Sequence, residues 1–365
     1  MKDQIKARLK EICFIEGISC REDNVVKYMY NQFSKYSKNV VVDMLGNVTA
    51  SFLSGKENAQ RIMIFAHMDE VGLVVKHVRD DGYLQLERLS AVNSHIIPGT
   101  VFNVRTHDGK LVSGVVGAKS HHFMKAEEKT RMPELSELFL DIGCRNKAEV
   151  LALNIDTGCV VSFSPQFTCL QNDIIATKSV DDRIACLALL DLAEYVQDKK
   201  LDFDLYLCAS VQEEFNIRGI MPAVRNINPD IAIGLDISPS GDTPELKGTS
   251  DITLGGGPTL TYFNYHGRGT LAGLIPNEAL VKFIEQTCVK QNIPFQREVA
   301  RGLLTETAYI QISGNKGVAT AAIAIPTRYT HTPIETVCID DYIYTVDLLK
   351  GFVDHWDGSV NLYKI

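Results

Sequence analysis

Six residues of this 365-residue chain have the types and positions that suit metal-assisted hydrolysis: His67, Asp181, Glu213, Glu214, Asp236 and His331. Most of them follow a short apolar run of the kind that forms a buried strand. His67 comes after Phe65-Ala66, Glu213-Glu214 after Ala209-Ser210, Asp236 after Gly234-Leu235, and His331 beyond Ile325. Asp181 stands just ahead of a helical stretch. In open α/β sheets ligands gather outside the carboxyl ends of the strands, so residues this remote in sequence can converge there. Imidazoles and carboxylates are the ligands of hydrolytic divalent ions. Two such ions a few Å apart need a bridging carboxylate to screen their repulsion, and each needs a nitrogen and a terminal carboxylate while leaving room for water. We assign the bridge to Asp181, one ion to His67 with Asp236, and the other to Glu214 with His331. Glu213, left without an ion, is assigned as the base that takes a proton from water and passes it to the leaving amine.

Each residue alone has a plainer reading. His67 could be a hydrogen-bonded histidine at a strand end. Asp181 could cap a helix. Glu213-Glu214 could belong to an exposed acidic loop. Taken together they resist that reading, because adjacent carboxylates behind a buried strand repel unless a cation or a bound proton intervenes. An unpaired charge at the end of Ile233-Gly234-Leu235 needs the same compensation.

The elements that must position these residues are legible in outline. Residues 1 to about 36 read as two helices broken at Glu16-Gly17-Ile18-Ser19, and Asn39 to Phe52 as a hairpin. Arg61 to Ala66 is a continuous apolar run, as in a strand buried on both faces. From about 73 to 165 the pattern changes to short alternating runs. Its best strands are Val71 to Val75, Thr100 to Val104, Lys110 to Val116 and Val160 to Phe163, spaced as in a partly closed barrel, with one candidate helix at Met132 to Phe139. Strand and helix patterns then alternate again: a helix from Ile184 to Val196, strands at Leu205 to Ser210, Ile231 to Leu235 and Ala319 to Ile325, and a helix at Asn277 to Gln291. The expectation is an α/β protein with a helix-covered, mixed and largely parallel sheet, split as 1–72 and 166–365 around a small β-barrel insert at 73–165.

Composition excludes several classes. A net charge of −8 leaves no basic surplus for phosphates, so neither nucleic acid nor a membrane surface is expected as a partner. The first residues lack the apolar core and cleavage site of a signal peptide, and no long apolar stretch suggests a membrane span. Nine scattered cysteines without a Cys-x-x-Cys pair read as reduced thiols, and the expected location is the cytoplasm. Gly255-Gly256-Gly257-Pro258 lacks the Lys-Ser/Thr ending of a phosphate loop and reads as a turn. His121 and His122, adjacent in sequence, are poorly placed to face one ion.

Five segments together resemble the tetrahedral and glutamyl aminopeptidases, the forty-second family of metallopeptidases, some of whose members are also labelled cellulases or endoglucanases. They are Ala66-His67-Met68-Asp69-Glu70-Val71-Gly72, Val180-Asp181-Asp182-Arg183, Gln212-Glu213-Glu214, Leu235-Asp236-Ile237, and Pro326 to Pro333 with His331. The resemblance covers nearly the whole chain. It implies the same ligands, bridge and base, and adds Asp69 as the carboxylate that orients the His67 imidazole. It also implies a cocatalytic aminopeptidase fold with a PDZ-like dimerisation insert, dimers assembled into a tetrahedral dodecamer, short peptide substrates, and zinc, or else cobalt or manganese, as the two ions. One segment departs from the family pattern. Where members show Gly-Gly-Thr-Asp-Ala, this chain has Gly302-Leu303-Leu304-Thr305-Glu306-Thr307-Ala308, so Glu306 becomes a candidate substrate-binding residue with a longer carboxylate.

Two other readings compete. A glycoside hydrolase could use paired carboxylates, but would need neither histidine ligands nor a bridging aspartate. A catalytically altered assembly protein of the same fold would draw its support from Glu306 alone.

Overall fold

The computed structural model describes residues 1–267 and 273–365. The apolar runs form the centre of a 12-stranded sheet. Arg61–His67 lies between Asp204–Ser210 and Ile231–Pro239, with Ala319–Arg328 beyond the latter, and these strands run parallel. The flanks are antiparallel: Val48–Phe52 pairs with Asp204–Ser210, and Glu335–Cys338 joins Ala319–Arg328 to Ile174–Thr177. The sheet is therefore mixed, parallel in the middle and again on a branch where Thr259–Tyr265 pairs with Gln296–Arg301. Ser210 sits directly opposite His67 in the register, so two of the apolar runs end at the same level.

The continuous hydrophobicity of Arg61–His67 is explained by what covers it. Ile62, Ile64 and Ala66 face the larger core, beneath the helices Lys2–Phe14, Val180–Val196 and Ile339–His355. Met63 and Phe65 face a second core with Ile220, Val224, Ile227 and Ile310. A strand covered on both faces has no use for alternation. The Val180–Val196 helix is likewise apolar nearly all round, because Ile184 to Leu190 are all buried. On the other face, Thr307–Gln311 lies so close to the sheet that a Cβ on Gly234 would stand 2.1 Å from Thr307 Oγ1. Only glycine permits that approach.

After His67 the chain enters a second, six-stranded sheet in the order Leu111–Val116, Thr100–Arg105, Val160–Phe163, Leu73–Val78, Leu84–Arg88, Phe139–Leu140. A bridge between Val115 and Asp141 draws its two edges together, leaving a nearly closed barrel. Its core is separate from the others and includes Leu73, Leu84, Phe102, Val104, Leu140 and Phe163, with the Phe102 and Phe163 rings stacked 5.1 Å apart.

One local expectation fails here. Met132 to Phe139 is not a helix. Only Leu135–Glu137 turns, as a 3₁₀ segment closed by reciprocal bonds between Glu134 and Glu137, and Phe139 then pairs with Gln85 as a strand. Leu135 and Leu138 are buried at helical spacing, which misleads the pattern, but the barrel edge captures the chain after one turn. A short helix, Lys147–Ala152, appears instead, started by Asn146, whose side chain accepts the Glu149 N–H at 3.0 Å.

Candidate active site

The loop leaving the Arg61–His67 strand is pinned on both sides. Met68 N–H donates to the Ser210 carbonyl at 2.8 Å, and Glu70 exchanges bonds with Gly17, its N–H reaching Gly17 O at 3.0 Å and its carboxylate accepting Gly17 N–H at 2.9 Å. Lys178 and Ser179 close on the same Glu70 carboxylate, which is fully buried. Glu70 thus points away from the site toward a cation, and that charge holds its carboxyl low against the opposing effect of burial. Its neighbour Asp69 points the other way. Asp69 accepts the Ser19 hydroxyl at 2.5 Å and the backbone N–H groups of Glu213 at 3.0 Å and Glu214 at 3.1 Å. It also faces His67 Nδ1 at 3.4 Å, long for a hydrogen bond. Asp69 therefore fixes the loop that carries Glu213 and Glu214 at least as firmly as it meets the imidazole.

Asp181 stands between the two histidines. Its Oδ1 is 2.9 Å from His67 Nε2 and its Oδ2 is 3.4 Å from His331 Nε2. Burial would raise its pKa, but hydrogen bonds from His331 and His67 hold it well below the usual carboxylate range. His331 Nε2 also lies 3.3 Å from Glu214 Oε1, and its Nδ1 lies 3.1 Å from the carbonyl of Ala91 in the segment between barrel strands. Burial disfavours the charged imidazole, yet Glu214 and Asp181 push His331 up to about 12.

The other carboxylates move the opposite way. Burial, with repulsion from Asp181, pushes Asp236 up to about 7, and burial also raises Glu213 and Glu214. Ligand atoms of His67, Asp182 and Asp236 lie within 4.8 Å of one another, as do those of His67, Glu213 and Glu214, and those of Asp181, Glu214 and His331. All six residues singled out by spacing are thus brought into one cluster. It opens into a cavity of about 410 Å³ whose wall includes His67, Asp181, Glu213, Glu214, Asp236 and His331.

Several contributors escape a reading of spacing. Asp182 is fully buried, both of its oxygens lack a hydrogen-bond partner, and burial and then Asp236 drive its carboxyl far up. Its only signal was adjacency to Asp181. Glu335 accepts the backbone N–H of Asp181 at 3.0 Å and that of His331 at 2.6 Å, so one buried side chain spaces two candidate ligands. Nothing in its own surroundings, Ile334-Glu335-Thr336, signals this. Arg183 donates to the carbonyls of Ile12 at 2.9 Å and Ile15 at 3.2 Å, tying the end of the first helix beneath the site. Glu306 lies behind the strand ends and not in the cavity wall. It accepts the Ser210 hydroxyl at 2.5 Å, and burial pushes its carboxyl up to about 8. Glu306 is thus set behind the wall, while its neighbour Thr305 lines it. The reach of Glu306 is taken up by Ser210, the residue paired with His67.

The profile of M42 glutamyl aminopeptidases matches residues 46–348. The Escherichia coli protein SgcX is 44% identical over 92% of this chain and 89% of its own length. Among solved structures, an aminopeptidase from the archaeon Desulfurococcus kamchatkensis superposes with a TM-score of 0.90 at 32% identity, covering 97% of this chain and 96% of the other. The TET1 peptidase of Pyrococcus horikoshii, which assembles into a tetrahedron or a large octahedral shell, superposes at 0.84 with 25% identity over 96% of this chain and 99% of its own.

Proposed function

The chain belongs to the M42 glutamyl aminopeptidase family, and from that premise we propose that it removes the N-terminal residue of short peptides with two divalent ions, zinc first and cobalt or manganese as alternatives. The observation that carries the reading is the pair of imidazoles meeting opposite oxygens of one buried carboxylate, Asp181. The cluster fits cations on its own terms. Asp182 holds two buried oxygens without partners, and Glu213, Glu214 and Asp236 are raised by burial, so bound cations would relieve a strain the protein otherwise meets with protons. His67 with Asp236 would hold one ion, Glu214 with His331 the other, and Asp181 both. Such ions supply Lewis acidity that makes water acidic and polarises a carbonyl.

The chain's own residues do the rest. Glu213 takes one proton from the attacking water at a carboxylate oxygen and returns it to the nitrogen of the leaving amine as the peptide C–N bond breaks. Asp69 holds Glu213 and Glu214 by their backbone N–H groups, and Glu335 does the same for Asp181 and His331. A glycosidase would have no role for the two imidazoles.

The 73–165 segment is proposed as a dimerisation insert between the catalytic parts 1–72 and 166–365, with dimers building a tetrahedral dodecamer. The shell formed by the Pyrococcus horikoshii neighbour supports this. No helix among the described residues is long and apolar enough to cross a membrane. All nine cysteines are unpaired, which supports a cytoplasmic setting. The test is chelation followed by reconstitution with zinc, cobalt or manganese. Activity on free-amine aminoacyl substrates should vanish and return with two ions per chain, and chelator-resistant cleavage would overturn the proposal.

A further inference from the structure

The cavity that opens on the candidate ligands continues along the Ile231–Pro239 strand to a second wall, where Glu298, Thr261, Asn264, Ala322 and Ala324 face it. Glu298 sits on the strand Gln296–Arg301, whose alternation turns Arg297, Val299 and Arg301 outward and Glu298 inward, leaving Glu298 only 9% exposed. Its carboxylate is held at both oxygens, by the Ser238 hydroxyl on one and by Thr261 Oγ1 at 2.9 Å on the other. Neither partner is charged. Among the described residues, the lining contains no lysine or arginine, and Glu298 belongs to none of the acidic groups that could hold an ion.

Building on the aminopeptidase reading, we infer that Glu298 is the specificity residue for the substrate's first side chain and selects a cationic one, lysine or arginine. Ser238 follows Asp236 by two residues on one strand and lies on the same face, about 7 Å further along. A long basic side chain spans that distance from the reacting end, and a short one does not. The methyl groups of Ala322 and Ala324 leave room for its alkyl stem. An ammonium or guanidinium at the far end adds charge-assisted hydrogen bonds to a carboxylate already oriented by two hydroxyls. An acidic side chain would place a second carboxylate against Glu298, and an aliphatic one would leave Glu298 desolvated with no cation.

The test compares p-nitroanilides of lysine, arginine, norleucine, leucine and glutamate on the metal-loaded full chain. Norleucine is the informative control, since it keeps the stem of lysine and lacks the ammonium. The lysyl substrate should exceed the norleucyl one in kcat/KM by roughly 10- to 100-fold, the range of a hydrogen bond to a charged group, and Glu298→Gln should bring that ratio close to one. Free lysine should also inhibit the unaltered protein more tightly than free norleucine by a similar factor, a comparison that requires no variant. Equal or better cleavage of norleucyl, leucyl or glutamyl substrates by the unaltered protein overturns the inference and leaves the aminopeptidase reading standing. So does a Glu298→Gln protein that loses lysyl and norleucyl activity by the same factor, the sign of a residue serving the common α-amino group. Cleavage of none of these substrates with any metal overturns the aminopeptidase reading itself, and the inference with it.

Discussion

The 12-stranded sheet and the six-stranded barrel bury different kinds of side chain. Around the carboxyl ends of the large sheet, His67, Asp69, Asp181, Asp182, Glu213, Glu306 and Glu335 are all shielded from water. Within 73–163 the buried polar side chains are Thr106 and Ser162, neither of them ionisable in the working range. The surfaces differ in the opposite sense. The barrel leaves Val101, Val115, Phe123 and Phe139 exposed by 46%, 47%, 77% and 43%, and Val101 and Val115 are direct partners across two strands. Buried charge is costly unless something compensates it, and exposed apolar surface is unfavourable unless something covers it. The first points to ions and chemistry, the second to another copy of the chain. The regions meet where His331 Nδ1 lies against the Ala91 carbonyl, and again where Arg105 of the barrel donates to Glu16 and to the Arg21 carbonyl.

The sharpest way to break this division is Glu213→Gln. It should lower kcat by roughly 10²- to 10⁴-fold, the usual contribution of a general acid–base, with metal content and assembly size unchanged. A protein that kept its turnover would remove Glu213 from the chemistry. Asp69→Asn tests the next layer. Its carboxylate serves His67 and two backbone N–H groups at once, so metal affinity or activity should fall roughly 10- to 100-fold, read by metal titration beside kinetics.

A substitution on the barrel should do the reverse. Val101→Asp should leave dipeptide hydrolysis within about threefold, on the premise that surface changes away from a site are nearly neutral, while light scattering shows smaller particles. Unchanged size would detach assembly from this face.

How much of this could be read beforehand depends on where the signal lay. His67, Glu213, Glu214 and Asp236 were legible because each interrupts an apolar run at its end, and a strand buried on both faces announces itself by lacking alternation. Asp182 and Glu335 were not, because their burial arises from packing between the Val180–Val196 helix and Glu335–Cys338, elements more than 130 residues apart in the chain. Glu306 was noticed for its type, but its partner Ser210 was not foreseen. A methylene's extra reach took it to Ser210, and no pattern encodes which neighbour a longer side chain will find. Four of the barrel's six strands were visible as short runs, but Leu84–Arg88 was not read, and Met132 to Phe139 failed because Leu135 and Leu138 satisfy helical and barrel-edge packing equally.

A further expected effect concerns protons. In the metal-free protein Asp236, raised to about 7, keeps its proton below that pH and must release it to bind an ion. Affinity should therefore weaken as the pH falls from 8 to 6, by up to roughly tenfold per unit for each proton displaced. Calorimetry in buffers of different ionisation enthalpy would count those protons. His331, pushed up to about 12, must release a proton as well, so affinity independent of pH would place both His331 and Asp236 outside the metal set.

The most direct measurement compares one peptide with a free and with an acetylated N-terminus, on protein loaded with zinc, cobalt or manganese. A two-ion aminopeptidase built on His67, Asp181, Glu214, Asp236 and His331 cleaves only the free form, one residue at a time from that end. Equal cleavage of the acetylated peptide, or cuts in its interior, would contradict the account.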